Sequence, residues 1–323
     1  IGMMDCDCWT TCVLMSVGAF VVAKMAWKFL VFVNDFFLVG RNNLKKYKKH
    51  GSWALVTGAS DGIGRGYAEE LAKRGFNVVI SARTASKLEE FRSELLAKNS
   101  AIQVKVLPFD YSTRNDADYE KLYKELELLD ISVLVNNVGV NFEIPCVLTD
   151  GTDAESDNMI FVNCLSTTRL TKKILPGMVS RRGGAIINLS SFVADRVTPM
   201  LSVYCGSKAY MKAFSEALSV EYASKGIDVL SVHPYYVISK MSGFKKPSFT
   251  VITPNRLAQD SFKYLGRKRA FIVTMSHYLM DTVVGMLPTS YLMNLSMGQM
   301  KGVRARQLKK KARSAESSKP KTK

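Results

Sequence analysis

The stretch that most constrains this chain is Ser52 to Arg74, SWALVTGASDGIGRGYAEELAKR. Trp53 to Thr57 is a short apolar, partly β-branched run that reads as a buried strand. Tyr67 to Lys73 is rich in helix formers, with Ala68, Leu71 and Ala72 on one side. Between them, Gly58, Gly62 and Gly64 let backbone approach backbone and ligand, so that successive N–H groups and the helix N-terminus face a pyrophosphate. Asn77 to Ser81 adds a second strand, completing the βαβ unit in which such a turn holds a dinucleotide.

The same alternation continues along the chain. Helices are expected over Ala85 to Asn99, Asp116 to Leu128, Asn158 to Leu175, Leu201 to Ala223 and Pro254 to Leu265. Strands are expected over Gln103 to Pro108, Ile131 to Val135, Ala185 to Leu189, Val229 to His233 and Ala270 to Val273. This pattern predicts an α/β fold, a doubly wound parallel sheet with its ligand crevice at the carboxyl ends of the strands.

Tyr204 and Lys208 lie four apart on an expected helix, so both side chains project from one face. There an ammonium stabilises a tyrosinate and pulls the phenol pKa below about 10, as a general acid/base near neutral pH requires. Tyr236 with Lys240 and Tyr264 with Lys268 repeat the spacing. Only the first pair has a serine thirteen residues upstream, Ser191, at the end of an expected strand; the others have Ala223 and Val251 there.

With the opening Thr57, the spacing Gly58-x-x-x-Gly62-x-Gly64 and the Ser191, Tyr204, Lys208 set, the chain resembles the short-chain dehydrogenase/reductase family over roughly Ser52 to Val273. The resemblance implies a Rossmann-type fold and assigns roles. Tyr204 donates the proton to a carbonyl oxygen, Ser191 hydrogen-bonds that oxygen, Lys208 tunes the tyrosine and holds the nicotinamide ribose, and Asn163 keeps a water in the proton relay. It places Gly58, Ser60, Asp61, Gly62, Ile63 and Gly64 around the cofactor phosphates. Asp110 and the Asn136-Asn137-x-Gly139 segment fall on the adenine side, with Asn137 as the contact. Pro234, Val237 and Ser239 fall beside the nicotinamide.

Tyr235 after Pro234, where glycine is common, looks like the branch containing very-long-chain 3-ketoacyl-CoA reductases and the type 12 and type 3 17β-hydroxysteroid dehydrogenases. For that branch the expected activity is NADPH-dependent reduction of a long-chain 3-ketoacyl-CoA in fatty-acid elongation. A hydroxysteroid dehydrogenase is the alternative on the same scaffold, and a catalytically silent NADP(H)-binding interaction protein is a third. Elongation enzymes and a second copy of the chain are the protein partners this implies.

The cofactor choice rests on residues. The second strand ends Ile80, Ser81, Ala82, Arg83, with no carboxylate for a ribose 2′-hydroxyl and with Arg83 available to a 2′-phosphate, which favours NADPH over NADH. Asp61 stands at a position often basic in NADP-dependent members, with Arg65 a candidate to compensate. Beyond Tyr235, a loop reaching Pro254 mixes apolar residues with Lys240, Lys245 and Lys246, which suits an acyl chain and the phosphates of coenzyme A.

Charge and hydropathy divide the rest. Arg41 to His50 has five basic residues and no acidic one, and Lys301 to Lys323 ten basic and one acidic, so most of the net charge of +17 sits in two terminal segments. Each follows an apolar stretch, which fits a membrane surface better than nucleic acid, and no nucleic-acid motif is present. His50, His233 and His277 are too dispersed for a metal site, and the six cysteines form no paired framework and read as reduced thiols.

The expected organisation is a membrane-associated segment over 1–40, a basic linker over 41–51, the NADP-binding catalytic domain over 52–274, an apolar membrane-contacting or lid segment over 275–300 and a basic tail over 301–323. Lys24 and Lys28 interrupt the N-terminal apolar run at about 2.5 to 3.5 kcal/mol each on insertion scales, which favours an oblique or interfacial helix over a simple span. The tail after Arg304 reads as disordered. Lys319 and Lys321, third and fifth from the end, resemble a dilysine retrieval signal, which with positive-inside logic implies the endoplasmic reticulum membrane and a catalytic domain facing the cytosol.

Overall fold

The computed structural model describes residues 6–40 and 44–317. It divides into two units, one up to Arg41 and one from Asn42 onward. The first is helix α1 (Cys6–Val33), continued by a π-type turn over Asn34–Leu38. Its side chains from Trp9 to Leu30 are all exposed, and among the described residues the stretch Trp9–Leu38 is the one helix long and apolar enough to cross a membrane. About 20 residues span the hydrocarbon. A span begun at Trp9 therefore has Lys24 and Lys28 in its last turns, within snorkelling reach of an interface.

The second unit opens with the short helix α2 (Lys45–Lys48), which buries Leu44 and Tyr47; the Tyr47 hydroxyl donates to Asp228 at 2.6 Å. It continues with β1 (Trp53–Thr57), α3 (Gly62–Lys73), β2 (Asn77–Ala82), α4 (Ala85–Lys98), β3 (Val104–Pro108), α5 (Asp116–Glu127) and β4 (Ile131–Asn136). Then come α6 (Asp153–Ile160), a π-type segment over Phe161–Ser166, α7 (Thr167–Ser180), β5 (Gly184–Leu189), α8 (Ser202–Glu221) and β6 (Ile227–Val232). Two short strands, β7 (Tyr236–Val237) and β8 (Val251–Ile252), pair with each other. The unit closes with α9 (Pro254–Tyr264), β9 (Ala270–Phe271), α10 (Met275–Val284) and α11 (Thr289–Ser317).

Seven parallel strands run in the order β3-β2-β1-β4-β5-β6-β9, the doubly wound sheet expected from the alternation. On one face Leu55, Val79, Leu134, Ile186 and Val229 pack under α5, α7 and α8 through Leu122, Leu170, Ile174 and Leu218. The alternate positions Ala54, Val56, Val78, Ile80, Val133 and Val135 are equally buried, so helices cover both faces and the strands read as unbroken apolar runs. The strand order reverses between β1 and β4, which opens the crevice at their carboxyl ends.

One segment differs from expectation, and a second shows which residues of its expected alternatives touch the domain. The tail beyond Arg304 is helical as far as Ser317, because Gln307, Leu308, Lys309 to Lys311 and Ala312 are strong helix formers continuing an existing helix. Over 275–300, Pro288 divides two helices that pack on the catalytic domain: His277 is fully buried, and Met300 joins a cluster with Phe142, Met159, Val193 and Leu201. Val283, Met286, Leu287, Tyr291 and Leu295 on the same segment are exposed. Lys319 and Lys321 lie outside the described residues.

Candidate active site

The crevice is a cleft of about 590 Å³. Of the residues singled out in the sequence, Gly58, Ser60, Asp61, Gly62, Ile63, Arg83, Asp110, Asn137, Ser191, Tyr204, Lys208, Pro234, Val237 and Ser239 all line it. Gly64 and Asn163 stand behind the wall and shape it.

The glycine turn is held by close approach. Gly58 and Gly62 adopt φ of +65° and +54°, in the left-handed region that favours glycine. A Cβ on Gly64 would lie 2.4 Å from the Gly58 carbonyl oxygen and 2.5 Å from Asn137 Nδ2. Asn137 is a brace for this loop: its Nδ2 donates to the Thr57 and Gly58 carbonyls at 2.9 and 3.2 Å, and its N–H donates to Thr57 Oγ1 at 3.0 Å. Thr57 Oγ1 also accepts from Val138 N–H, tying the end of β1 to the segment after β4.

Asp61 caps α3, its carboxylate accepting from the Gly62 N–H at 2.7 Å, and pairs with Lys240 at 3.0 Å. Burial raises the Asp61 pKa, but the Lys240 bond and charge outweigh it and hold the carboxyl below its ordinary range. The charge at this position is thereby neutralised by a residue of the loop after β7. Arg65 does not take that part. Its guanidinium pairs with Glu94 and Glu69 and lies 4.4 Å from the Phe91 ring centroid, outside the cleft. Sequence reasoning missed Lys87, which lines the cleft from the first turn of α4. Arg83 and Lys87 are both exposed, and neither carries an ion pair among the described residues. Asp110 accepts from Ser112 N–H and Oγ at 2.9 and 2.7 Å, a local turn at the cleft edge.

Ser191 ends the turn after β5, and Tyr204 and Lys208 face it from α8. Tyr204 is half-buried, and desolvation pushes its phenol up to about 12, while a hydrogen bond from Ser191 acts the other way. Burial pulls Lys208 down to about 8, with Cys164 nearby opposing. The expected lowering of the phenol pKa is not what the geometry gives. Lys208 Nζ donates to the Leu189 carbonyl at 2.9 Å and stands 5.6 Å from the Tyr204 ring centroid, so desolvation of the phenol dominates. The arrangement is therefore a neutral phenol and a serine hydroxyl on one wall, with a cation behind: a proton donor for an oxygen bound between them.

Asn163 sits in the π-type segment between α6 and α7. Its Oδ1 accepts from Val140 N–H at 2.8 Å, and its Nδ2 donates to the Val140 carbonyl and to Ser207 Oγ, each at 2.9 Å. Gly139 lies between Asn163 and Lys208: a Cβ there would be 3.4 Å from Asn163 Oδ1 and 3.3 Å from Lys208 Nζ. The extra residue in the helical turn is what aims the amide at this point. Of the neighbouring pairs, Tyr236 is exposed on β7 with Lys240 turned to Asp61, and Tyr264 is buried at the end of α9, so neither resembles Tyr204.

Toward the open end the lining is apolar, with Phe192, Val193, Leu201, Met241 and Met300. Tyr235 stacks on Phe192 with centroids 4.2 Å apart and donates its hydroxyl to Asp281 on α10 at 2.7 Å, so the residue after Pro234 fastens the C-terminal helices to the site. Met300 was not foreseen as a lining residue, since it follows Pro288 by a full helix.

The sequence pattern of the family described as short chain dehydrogenase matches residues 52–248. The chain belongs to this family. Its relatives extend the likeness beyond the matched domain. A very-long-chain 3-oxoacyl-CoA reductase of Pyricularia oryzae is 38% identical over 311 residues, 94% of each chain. One of Anas platyrhynchos is 43% identical over 263 residues, 81% of this chain and 84% of its own. Among solved structures, a short-chain dehydrogenase from Sphingobium yanoikuyae in complex with NADPH superposes with a TM-score of 0.63 at 26% identity, covering 72% of this chain and 92% of that one. A 7β-hydroxysteroid dehydrogenase shares the fold at a TM-score of 0.68 and 21% identity, covering 77% and 98%. The chain is thus an oxidoreductase of this family.

Proposed function

We propose that this chain is a membrane-bound, NADPH-dependent reductase that converts long-chain 3-oxoacyl-CoA to 3-hydroxyacyl-CoA. The observation that carries the chemistry is the Ser191–Tyr204 pair lining the cleft, with buried Lys208 behind it, opening onto an apolar wall. The observation that supports the substrate class is the extent of the likeness to very-long-chain 3-oxoacyl-CoA reductases, which runs over 94% of the chain in one case.

The residues present fit NADPH. The turn from Gly58 to Ile63 supplies backbone N–H groups for a pyrophosphate, and Arg83 and Lys87 give two cations for a 2′-phosphate. Bound there, NADPH supplies the hydride. Tyr204, held protonated by burial, delivers its proton to the ketone oxygen, and Ser191 hydrogen-bonds that oxygen and fixes its position. Lys208 holds positive charge beneath them, and Asn163 positions the Gly139–Val140 backbone at the rear of the site.

The helix Trp9–Leu38 and the exposed apolar residues of 275–300 support membrane attachment, and the basic segments flanking them support a cytosolic catalytic domain at the endoplasmic reticulum. Purified full-length chain should oxidise NADPH when given a long-chain 3-oxoacyl-CoA. Turnover of a 17-ketosteroid with no turnover of the acyl-CoA would refute the substrate assignment.

A further inference from the structure

His233 and Asp195 form a pair that the chemistry above leaves unused. His233 follows β6 directly, one residue before Pro234, and is buried. Its Nδ1 meets the Asp195 carboxylate, and its Nε2 lies 3.0 Å from the Ser231 hydroxyl. A carboxylate only accepts, so Nδ1 carries the proton. Asp195 closes the turn Phe192–Ala194 that starts from Ser191, and its Oδ1 accepts from Lys212 Nζ at 2.6 Å. Lys212 is four residues beyond Lys208 on α8, in line with it. Burial pushes the Asp195 carboxyl up, but its bonds and charge contacts with His233 and Lys212 outweigh that and hold it down at about 2. The neighbouring Arg196 is taken by Asp281 at 2.9 Å and does not compete. One carboxylate thus joins three parts of the site: the turn of Ser191, the helix of Tyr204 and Lys208, and the segment entering Pro234. Two further bonds flank Ser191. Phe192 N–H donates to the Pro234 carbonyl at 3.1 Å, and Ser190 Oγ donates to the Lys208 carbonyl at 2.7 Å. Asp195 pins the other end of the turn.

Resting on the assignment of Ser191 and Tyr204 as the groups that meet the ketone oxygen, we infer that Asp195 is a positioning residue, which through His233 and Lys212 sets Ser191 against Tyr204 on one side and against Pro234 on the other. Asp195, His233 and Lys212 do not line the cleft, so they act through the residues they hold. Ser231 is fully buried and lines no part of the cleft either, which removes Ser231, His233 and Asp195 as a nucleophile, base and acid of their own. A serine hydroxyl that fixes a carbonyl oxygen works only within a narrow range of position, and a shift of about 1 Å costs about 100-fold. The ion pairs of Asp195 confine the turn to that range.

The test uses the full chain with Asp195→Asn, which keeps the side-chain shape and removes the charge that holds both partners, and with Lys212→Ala and Lys212→Arg. In Asp195→Asn, kcat for a long-chain 3-oxoacyl-CoA should fall about 10- to 100-fold while its KM and the NADPH dissociation constant stay within about twofold. Lys212→Ala should lose about threefold in kcat, as a partly exposed ion pair does, and Lys212→Arg should restore it. Bound NADPH reports the same displacement without turnover: nicotinamide emission per bound molecule should change in Asp195→Asn at unchanged affinity, because Pro234 has moved. An unchanged kcat in Asp195→Asn overturns the proposal. So does a kcat loss matched by weaker NADPH binding, the mark of a merely structural contact, or a Lys212→Ala loss that arginine does not restore. If Asp195→Asn does not fold, the two Lys212 variants decide, and equal kcat in both overturns the proposal. A parent chain that reduces no acyl-CoA counts against the reductase reading above, whereas the emission of bound NADPH tests the Asp195 link by itself.

Discussion

Gly64→Ala should damage the protein in a way that its position in a helix would not suggest. In an ordinary helix interior, alanine in place of glycine stabilises by about 0.5 to 1 kcal/mol. At Gly64 the added methyl would meet the Gly58 carbonyl oxygen at 2.4 Å and Asn137 Nδ2 at 2.5 Å. The first contact is backbone, so relief requires the turn to move away from α3, and the Asn137 amide loses its bonds to the Thr57 and Gly58 carbonyls. Overpacking of about 1 to 3 kcal/mol and two hydrogen bonds at about 1 kcal/mol each outweigh the helical gain, leaving a net loss of about 2 to 4 kcal/mol. In a domain of this size that lowers Tm by about 5 to 10 °C, and NADPH affinity falls because the turn that faces the pyrophosphate has shifted. Gly206→Ala is the internal comparison. Gly206 lies in α8 between Tyr204 and Lys208, with nothing within 4 Å of an added methyl, so Tm should hold or rise slightly and NADPH binding should persist. Scanning calorimetry with a fluorescence titration of NADPH reads both. If Gly64→Ala is as stable as Gly206→Ala and binds NADPH equally well, the close-approach account of the turn is wrong.

Other consequences are more direct. Tyr204→Phe keeps the ring in place but removes the proton donor, so turnover should drop at least about 100-fold with NADPH binding retained, while Tyr236→Phe and Tyr264→Phe stay near the parent; the reverse pattern would move the acid elsewhere. Reduction should hold from neutral pH downward and decline as pH rises through about 8, where Lys208 loses its proton, because Tyr204 stays protonated to about 12; a rate flat to pH 10 would show that the Lys208 charge is not needed. Arg83→Ala with Lys87→Ala should weaken NADPH by roughly 1.5 to 3 kcal/mol and leave NADH little changed, whereas equal weakening of both cofactors would remove these residues as the discriminators.

Much of the fold was legible because its strands are unbroken apolar runs and its glycine turn has one common use. Strand limits agreed to within a residue or two, as with Trp53–Thr57 and Ile131–Asn136. The helix carrying Asn163 began earlier than its apolar positions suggested, although Thr152 and Glu155 spell the capping box that starts α6. The π-type segment left no trace in the periodicity, since one inserted residue shifts a helical face without changing its composition. Charges were the hardest part. Arg65 and Lys240 are both basic residues near the cofactor turn, and only three-dimensional placement shows that Glu94 and Glu69 hold the first while Asp61 draws in the second. Met300 was hidden because the apolar stretch around it reads equally well as membrane-facing or domain-facing, and α11 divides its residues between contact with the domain and exposure.

The central claim is that the cleft reduces a 3-oxo group on a long acyl-CoA, with Tyr204 as the proton donor. The most direct measurement follows NADPH absorbance with purified full-length chain and its Tyr204→Phe variant, offering a long-chain 3-oxoacyl-CoA and a 17-ketosteroid in parallel. The account predicts rapid, stoichiometric NADPH loss with the acyl-CoA, little with the steroid, and neither in the variant. Steroid turnover without acyl-CoA turnover, or acyl-CoA reduction that survives Tyr204→Phe, would contradict it.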